Sequence, residues 1–313
     1  MVKWGVIGAG KIASRFLESL AHHKDGEFYA IASYTESKRE LYKDKGCIVY
    51  DDYMKLIDDE CVDAIYIAIP HSSHYKWALE ALKRHKHVLC EKPATLSSKE
   101  TKELCELAKD NRVLFLEGMK SRFVPLIQKL YEMNKEGYFG TIKRIETSFC
   151  SDASYDETCY LYDKVQGGAL YDVGIYNIAK IYDFVDSSIE SIDGYIEFKD
   201  GIDYYDHIEL TFVNGVTALI ECGIDRAKEK SMIIEFEKGT LKATPFYRPE
   251  IAYFNDEIIE VPYIIDDFYT EIEEVHQCIF NHQYESKRMS HKESIQCIEL
   301  IERIRQSSLW LKS

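Results

Sequence analysis

As far as Lys120, the chain alternates short apolar runs with longer segments whose apolar residues recur at helical spacing. Trp4-Gly5-Val6-Ile7-Gly8, Phe28-Tyr29-Ala30-Ile31-Ala32-Ser33, Ala64-Ile65-Tyr66-Ile67-Ala68-Ile69, His87-Val88-Leu89-Cys90 and Val113-Leu114-Phe115-Leu116 read as strands. The third is apolar throughout, as a strand buried on both faces must be. Residues 12–22, a stretch carrying Lys38, Arg39 and Leu41, residues 75–83 and residues 99–109 read as the intervening helices. Strands spaced by such helices predict right-handed βαβ crossovers and a doubly wound parallel sheet of the Rossmann kind, an α/β domain over residues 1–120.

Beyond that point the pattern changes. A helix over 125–136 leads into longer strands at 143–149, 189–198 and 208–213, with Asn214-Gly215 a strong hairpin signal and Asn255-Asp256 a weaker one. Two closing stretches, 267–281 and 291–310, return to helical spacing. Residues 121–313 are therefore expected to form a second, α+β domain with a large, mostly antiparallel open sheet and helices on one face.

Composition narrows the class. A chain of 313 residues accommodates two cores, and Lys+Arg 39 against Asp+Glu 54 leaves a net charge of −15, whose field repels nucleic acid and anionic membranes. No run has the length of a membrane span, and Met1-Val2-Lys3-Trp4-Gly5 enters a strand pattern directly, without a signal peptide. The nine cysteines are odd in number and lack C-x-x-C spacing, as in a reduced, cytoplasmic protein with neither a disulfide framework nor a metal site.

Three segments carry chemistry. Gly8-Ala9-Gly10-Lys11-Ile12-Ala13 fits G-x-G-x-x-A after the first strand. The first glycine permits the turn, the second lets backbone approach a pyrophosphate, and the helix start offers free N–H groups, with Lys11 and Ile12 on its first turn. The second strand ends at Ser33 and Tyr34 without the carboxylate usual for NAD, while Lys38 and Arg39 follow; this favours NADP over NAD. In Cys90-Glu91-Lys92-Pro93 a lysine follows a strand end, where open α/β sheets place ligands, and Pro93 restrains it. In Gly167-Gly168-Ala169-Leu170-Tyr171-Asp172-Val173-Gly174-Ile175-Tyr176, Asp172 and Tyr176 are i,i+4 neighbours on one side of a helix, and the two glycines would let it begin tightly against a ligand. A lysine cation near a tyrosine favours the phenolate and brings its pKa toward the working range. Each segment has a plainer reading: a tight βα turn, a surface lysine, or a helix-start aspartate beside one of 23 tyrosines.

In order and spacing these segments resemble the glucose–fructose oxidoreductase / inositol dehydrogenase (Gfo/Idh/MocA) family. So do Ile69-Pro70-His71-Ser72-Ser73-His74, Arg122-Phe123 with Pro125, residues 137–140 and the terminal helix over 290–308. Tyr176, where many members have His, is similar to the branch containing dimeric dihydrodiol dehydrogenases. The resemblance implies a nicotinamide-dependent oxidoreductase acting on a sugar, polyol or related small hydroxyl or carbonyl compound. Lys92 would polarise the substrate oxygen, Tyr176 would exchange the proton, and Asp172 would hold the substrate or orient Lys92. Gly8, Gly10, Lys11, Ile12, Ser33, Lys38, Pro70, His74, Glu91 and Lys92 would contact the cofactor, and Lys92, Arg122, Asp172 and Tyr176 the substrate. His71 stands where many members have Asn and Gln166 where a third Gly is common, and the loop Cys159-Tyr160-Leu161-Tyr162-Asp163 lacks a basic residue expected in the dihydrodiol branch. A homodimer or larger assembly on the sheet of residues 141–260 is also expected, because an open sheet leaves one broad face. The rival reading is a non-catalytic nucleotide-binding regulator on the same fold; a glycosidase using a tightly held nicotinamide is a third.

Overall fold

The computed structural model describes residues 1–307. The chain divides into two compact units, Met1–Gly118 with Ile264–Ile295, and Met119–Tyr263 with the segment from Gln296 onward.

In the first unit, β1 (Val2–Ile7), α1 (Lys11–Leu20), β2 (Gly26–Ala32), α2 (Glu36–Glu40), β3 (Ile48–Tyr50), α3 (Tyr53–Ile57), β4 (Ala64–Ile67), α4 (His74–Lys83), β5 (His87–Glu91), α5 (Ser98–Asn111) and β6 (Phe115–Gly118) alternate as expected. All strand pairs are parallel, in the order β3-β2-β1-β4-β5-β6. The order reverses between β1 and β4, and there a doubly wound sheet opens a crevice at its carboxyl edge. Ile65, Ile67, Val88 and Cys90 pack with Leu56, Ala78, Ala81 and Leu104 in a core that is nearly free of solvent. The strand β3 and helix α3 have no counterpart in the sequence reading. They are three and five residues long, and β3 is only partly buried, so neither builds a recognisable periodicity.

The second unit begins with α6 (Lys120–Phe123) and α7 (Pro125–Lys135), then β7 (Ile142–Cys150) and α8 (Ile175–Phe184). There follow β8 (Ile189–Lys199), β9 (Ile202–Phe212), β10 (Thr217–Gly223), β11 (Met232–Phe236), β12 (Thr240–Ala243), β13 (Ile251–Phe254) and β14 (Glu257–Glu260). They form one eight-stranded sheet, β14-β13-β12-β11-β7-β10-β9-β8, antiparallel except for the β7–β10 pair. Asn214-Gly215 turns β9 into β10, and Asn255, at φ +52°, turns β13 into β14. One face of the sheet carries α8, anchored by Asn177, whose Nδ2 donates to the carbonyls of Thr147 and Glu221 at 3.0 Å each.

The chain then re-enters the first unit with α9 (Tyr269–Phe280) and starts α10 (His291–Gln306). The sequence reading gave this stretch to the second domain. Its side chains match the first core instead: Trp4 Nε1 donates to His276 Nε2 at 3.0 Å, Ser19 Oγ to Asp266 at 2.8 Å, and Arg15 pairs with Asp267. Helical periodicity reports an apolar face but not which core covers it. The last part of the helix expected over 291–310 lies outside the described residues. No helix among the described residues is long and apolar enough to cross a membrane.

Candidate functional site

The glycine turn sits at the switch point. Gly8 has φ +98°, and a Cβ there would lie 2.3 Å from the Ala68 carbonyl oxygen, so only glycine fits between β1 and β4. Gly10 differs: a Cβ there would meet nothing within 4 Å, and no side chain caps the α1 N-terminus behind it. Uncapped helix amides facing an open space form a cradle for an anion, and the residues present fit the pyrophosphate of a dinucleotide. Ala13 is fully buried, which lets α1 pack close to the sheet.

At the end of β2, Ser33 is buried and its Oγ accepts from Thr35 N at 3.2 Å. Arg39, rather than Lys38, folds back to this point, its Nη1 donating to the Ser33 carbonyl at 2.7 Å, while Lys38 is exposed. The sequence names Lys38 for this contact and not Arg39; both lie on the same short helix, and local spacing does not tell which of the two folds back.

Lys92 follows the carboxyl end of β5 and is half-buried; its peptide bond to Pro93 is cis. Two expected ligand contacts beside it are structural instead. The Glu91 carboxylate accepts the Tyr66 hydroxyl inside the core. His74 has no exposed surface, and its Nδ1 and Nε2 lie 2.8 Å from the Pro93 carbonyl and 2.7 Å from that of Ile69. Burial lowers its pKa, against the pull of those two carbonyls and of Glu91. His74 thus joins the loop at Ile69 and exposed Pro70 to the turn after Lys92, and is unsuited to proton exchange with a ligand.

In the second unit, residues Leu170–Gly174 form a π turn ahead of α8 instead of the regular α-helix on which the Asp172–Tyr176 spacing was read. Such turns are frequent at functional sites. Asp172 accepts the Tyr160 hydroxyl at 3.0 Å. Tyr160 is exposed as a residue, but desolvation of its hydroxyl and then the Asp172 charge push the phenol far up, and Tyr176 acts on it as well, so these three groups gather on one side of the turn. Tyr176 is buried, with its ring 5.7 Å from that of Phe149 and 6.2 Å from that of Tyr247. The sequence singled out the loop of Tyr160 but gave this residue no role, since nothing local tells it from the other tyrosines. Gly167 and Gly168 do not face a ligand. A Cβ at Gly167 would lie 2.3 Å from the Leu161 carbonyl, and one at Gly168 2.2 Å from Asp203 Oδ1, so the glycines admit the Tyr160 loop and the strand β9.

Arg122 also departs from expectation. It is wholly buried, its Nη2 donating to the Ala179 carbonyl at 3.0 Å and its Nε lying 3.3 Å from Asp183, which Lys180 also binds at 2.8 Å. A guanidinium so held ties α6 to α8 and is not presented to a substrate.

A parallel sheet with a dinucleotide cradle at its switch point, joined to an open-sheet unit carrying an Asp–Tyr pair, defines a two-domain nicotinamide-dependent oxidoreductase. Residues 2–119 match the model of the oxidoreductase family with an NAD-binding Rossmann fold, and residues 127–242 that of the GFO/IDH/MocA C-terminal domain. The chain belongs to the Gfo/Idh/MocA oxidoreductase family. It is 28% identical to scyllo-inositol 2-dehydrogenase (NADP(+)) of Bacillus subtilis, over 97% of this chain and 96% of that protein. It is 28% identical to trans-1,2-dihydrobenzene-1,2-diol dehydrogenase of Mus musculus, over 83% of this chain and 80% of that one. Its fold is that of KijD10, a 3-ketoreductase from Actinomadura kijaniata solved with NADP, with a TM-score of 0.87 and 24% identity over 99% of both chains.

Proposed function

We propose that the chain is an NADP-dependent dehydrogenase or reductase acting on the CH–OH or carbonyl group of a sugar, polyol or related small compound. One observation carries this most: Lys92 stands at the carboxyl end of β5, on the same edge as the glycine cradle at the β1/β4 switch point. NADP is favoured by Arg39 and Ser33 at the end of a second strand that lacks a carboxylate, with Lys38 in reserve, and by the NADP named for the Bacillus subtilis relative.

The bound nicotinamide supplies the hydride. Gly8, Gly10 and the first residues of α1, Lys11 and Ile12, hold its pyrophosphate. Lys92 polarises the substrate oxygen and Tyr176 gives up or takes the proton, with Asp172 holding a substrate hydroxyl. Free lysine and tyrosine titrate near 10, so the cation's influence on the phenol matters for work near neutrality. Tyr160 keeps Asp172 in place. The second unit binds substrate and, through its sheet, a second copy of the chain; we place the protein in the cytoplasm.

The deciding experiment follows the near-ultraviolet absorbance of reduced nicotinamide with scyllo-inositol, D-xylose and a panel of other polyols and aldoses. Turnover with NADP supports the reading. If none of them is oxidised, and none of the matching carbonyl compounds reduced, with either nucleotide, the regulator reading replaces it. Light scattering at micromolar concentration tests the assembly, which a monomer would refute.

A further inference from the structure

The π turn bearing Asp172 rests on an unusual set of buried charges. Asp203 and Asp206, both on β9, have no exposed surface. Three residues apart, they would face opposite sides of a regular strand. The β8–β9 register pairs Phe198 with Asp203 and Glu197 with Tyr205, leaving Tyr204 as an extra residue. That bulge reverses the alternation and turns both carboxyls to the same side.

Each contact of this pair leads to the turn. Asp203 Oδ2 accepts the backbone N–H of Leu170, its first residue, at 2.7 Å, and Gly168 leaves room for Oδ1. Arg305 Nη1, from α10, donates to Asp203 Oδ1 at 2.8 Å, and its guanidinium carbon lies 5.0 Å from the centre of the Tyr171 ring. Cys222, the cross-strand partner of Asp206, donates its thiol to Asp206 Oδ2 at 3.2 Å. The same sulfur lies 2.9 Å from where Gly174, the last residue of the turn, would carry a Cβ. Asp206 Oδ1 is buried and receives no N–H or O–H from another residue, while the two carboxyls lie within hydrogen-bonding reach of each other. Arg305 pairs with Asp203 alone, so two carboxylates beside one guanidinium are not neutralised, and a buried excess charge is costly. A proton on Asp206 removes the excess.

We propose that Asp203, Asp206 and Arg305 form a positioning clamp that sets the π turn carrying Asp172 and leading to Tyr176, with a single proton shared by the two carboxyls. Burial and the charge of Asp203 both hold the Asp206 carboxyl well above its ordinary range, and burial raises Asp203 against the pull of Arg305. The groups facing the pair are Arg305 on α10 and the Cys222 thiol on β10, whose own pKa is raised by burial. A carboxyl raised in the folded state binds a proton that the unfolded chain has released. Its stabilisation is full at low pH and is lost as pH rises through the folded value. The catalytic consequence rests on the function proposed above; the clamp itself does not.

Amide hydrogen exchange on the full chain, paired with NADP-dependent oxidation of scyllo-inositol, tests this. In Asp203→Asn, amides of residues 168–176 should exchange about tenfold faster or more, because a charge-assisted bond to the Leu170 N–H is lost. Turnover should fall by a similar factor while the dissociation constant of NADP stays put. Asp206→Asn, which mimics the neutral acid, should keep wild-type protection in 168–176 and lose the decline in protection that the wild type shows as rising pH removes the shared proton. Asp206→Leu should not rescue. If Asp203→Asn does not fold, Arg305→Lys provides the same measurement: faster exchange confined to 168–176 supports the clamp. Wild-type exchange and turnover in whichever of these two variants folds, or an Asp206→Asn as damaged as Asp206→Leu, overturns it. If the wild type oxidises no scyllo-inositol, the exchange results still decide the clamp, so its failure is separable from that of the enzyme reading.

Discussion

The Tyr160 hydroxyl donates to the Asp172 carboxylate at 3.0 Å, from a loop that the paired glycines Gly167 and Gly168 bring against the turn. The backbone N–H of Gly168 donates to Leu161 at 2.9 Å and that of Gly167 to Asp163 at 2.8 Å, so the loop and the glycine turn are one unit. Tyr160→Phe should leave NADP affinity unchanged and lower kcat/KM by about tenfold, the value of one hydrogen bond to a charged group. An effect confined to NADP binding would show that Tyr160 serves elsewhere.

Tyr176→Phe should cost at least about 100-fold in kcat, within the range of general acid/base groups. Lys92→Ala should cost as much or more, since it removes both the polarising charge and the influence on the phenol. The double variant should be little worse than Lys92→Ala alone, because residues that act as a unit are not additive. Near-normal turnover of Tyr176→Phe would mean that another group moves the proton. His74 is excluded from that role, with both ring nitrogens committed to backbone carbonyls.

Gly10→Val places a branched side chain in the open space before α1. Calorimetry should detect no NADP binding, with the melting temperature near that of the wild type. Gly8→Val, by contrast, collides with the Ala68 carbonyl and should lower stability as well.

Cofactor preference should move with two residues. Ser33→Asp places a carboxylate where a 2′-phosphate would lie, and Arg39→Ala removes the guanidinium held at Ser33. Each should weaken NADP by about tenfold or more relative to NAD, as loss of a charge-assisted contact does. A wild type that already prefers NAD contradicts the assignment.

Acid should unfold the first unit through half-buried His87 and buried His276. His87 Nδ1 accepts from Leu114 N at 2.9 Å and His276 Nε2 accepts from Trp4, and burial lowers both pKa values from 6.5 to about 4. Above pH 6.5 neither folded nor unfolded chain protonates them. Between 6.5 and about 4 only the unfolded chain does, so stability falls as pH falls through that window. Denaturant midpoints measured across it should drop in the wild type and drop less in His276→Gln.

The sequence alone carried the parts of this protein that depend on neighbours along the chain. The period of apolar residues set the parallel sheet, the spacing of Gly8, Gly10 and Ala13 marked the cradle, and the Asn214-Gly215 and Asn255-Asp256 turns were legible because turn chemistry is local. Lys92 at a strand end and the Asp172–Tyr176 pair were also visible as candidates. Tertiary structure decided what each polar side chain meets. It turned Glu91, His74 and Arg122 from ligand contacts into internal ties, chose Arg39 over Lys38, and gave Tyr160 a partner. It also assigned residues 264–295 to the first unit. A bulge at Tyr204 reversed one strand's alternation and so created the carboxyl pair beneath the π turn, which no strand pattern announces. The physical reason is common to all of these: burial and hydrogen bonding join residues distant in sequence, and an orphaned polar group costs the same whichever segment supplies its partner.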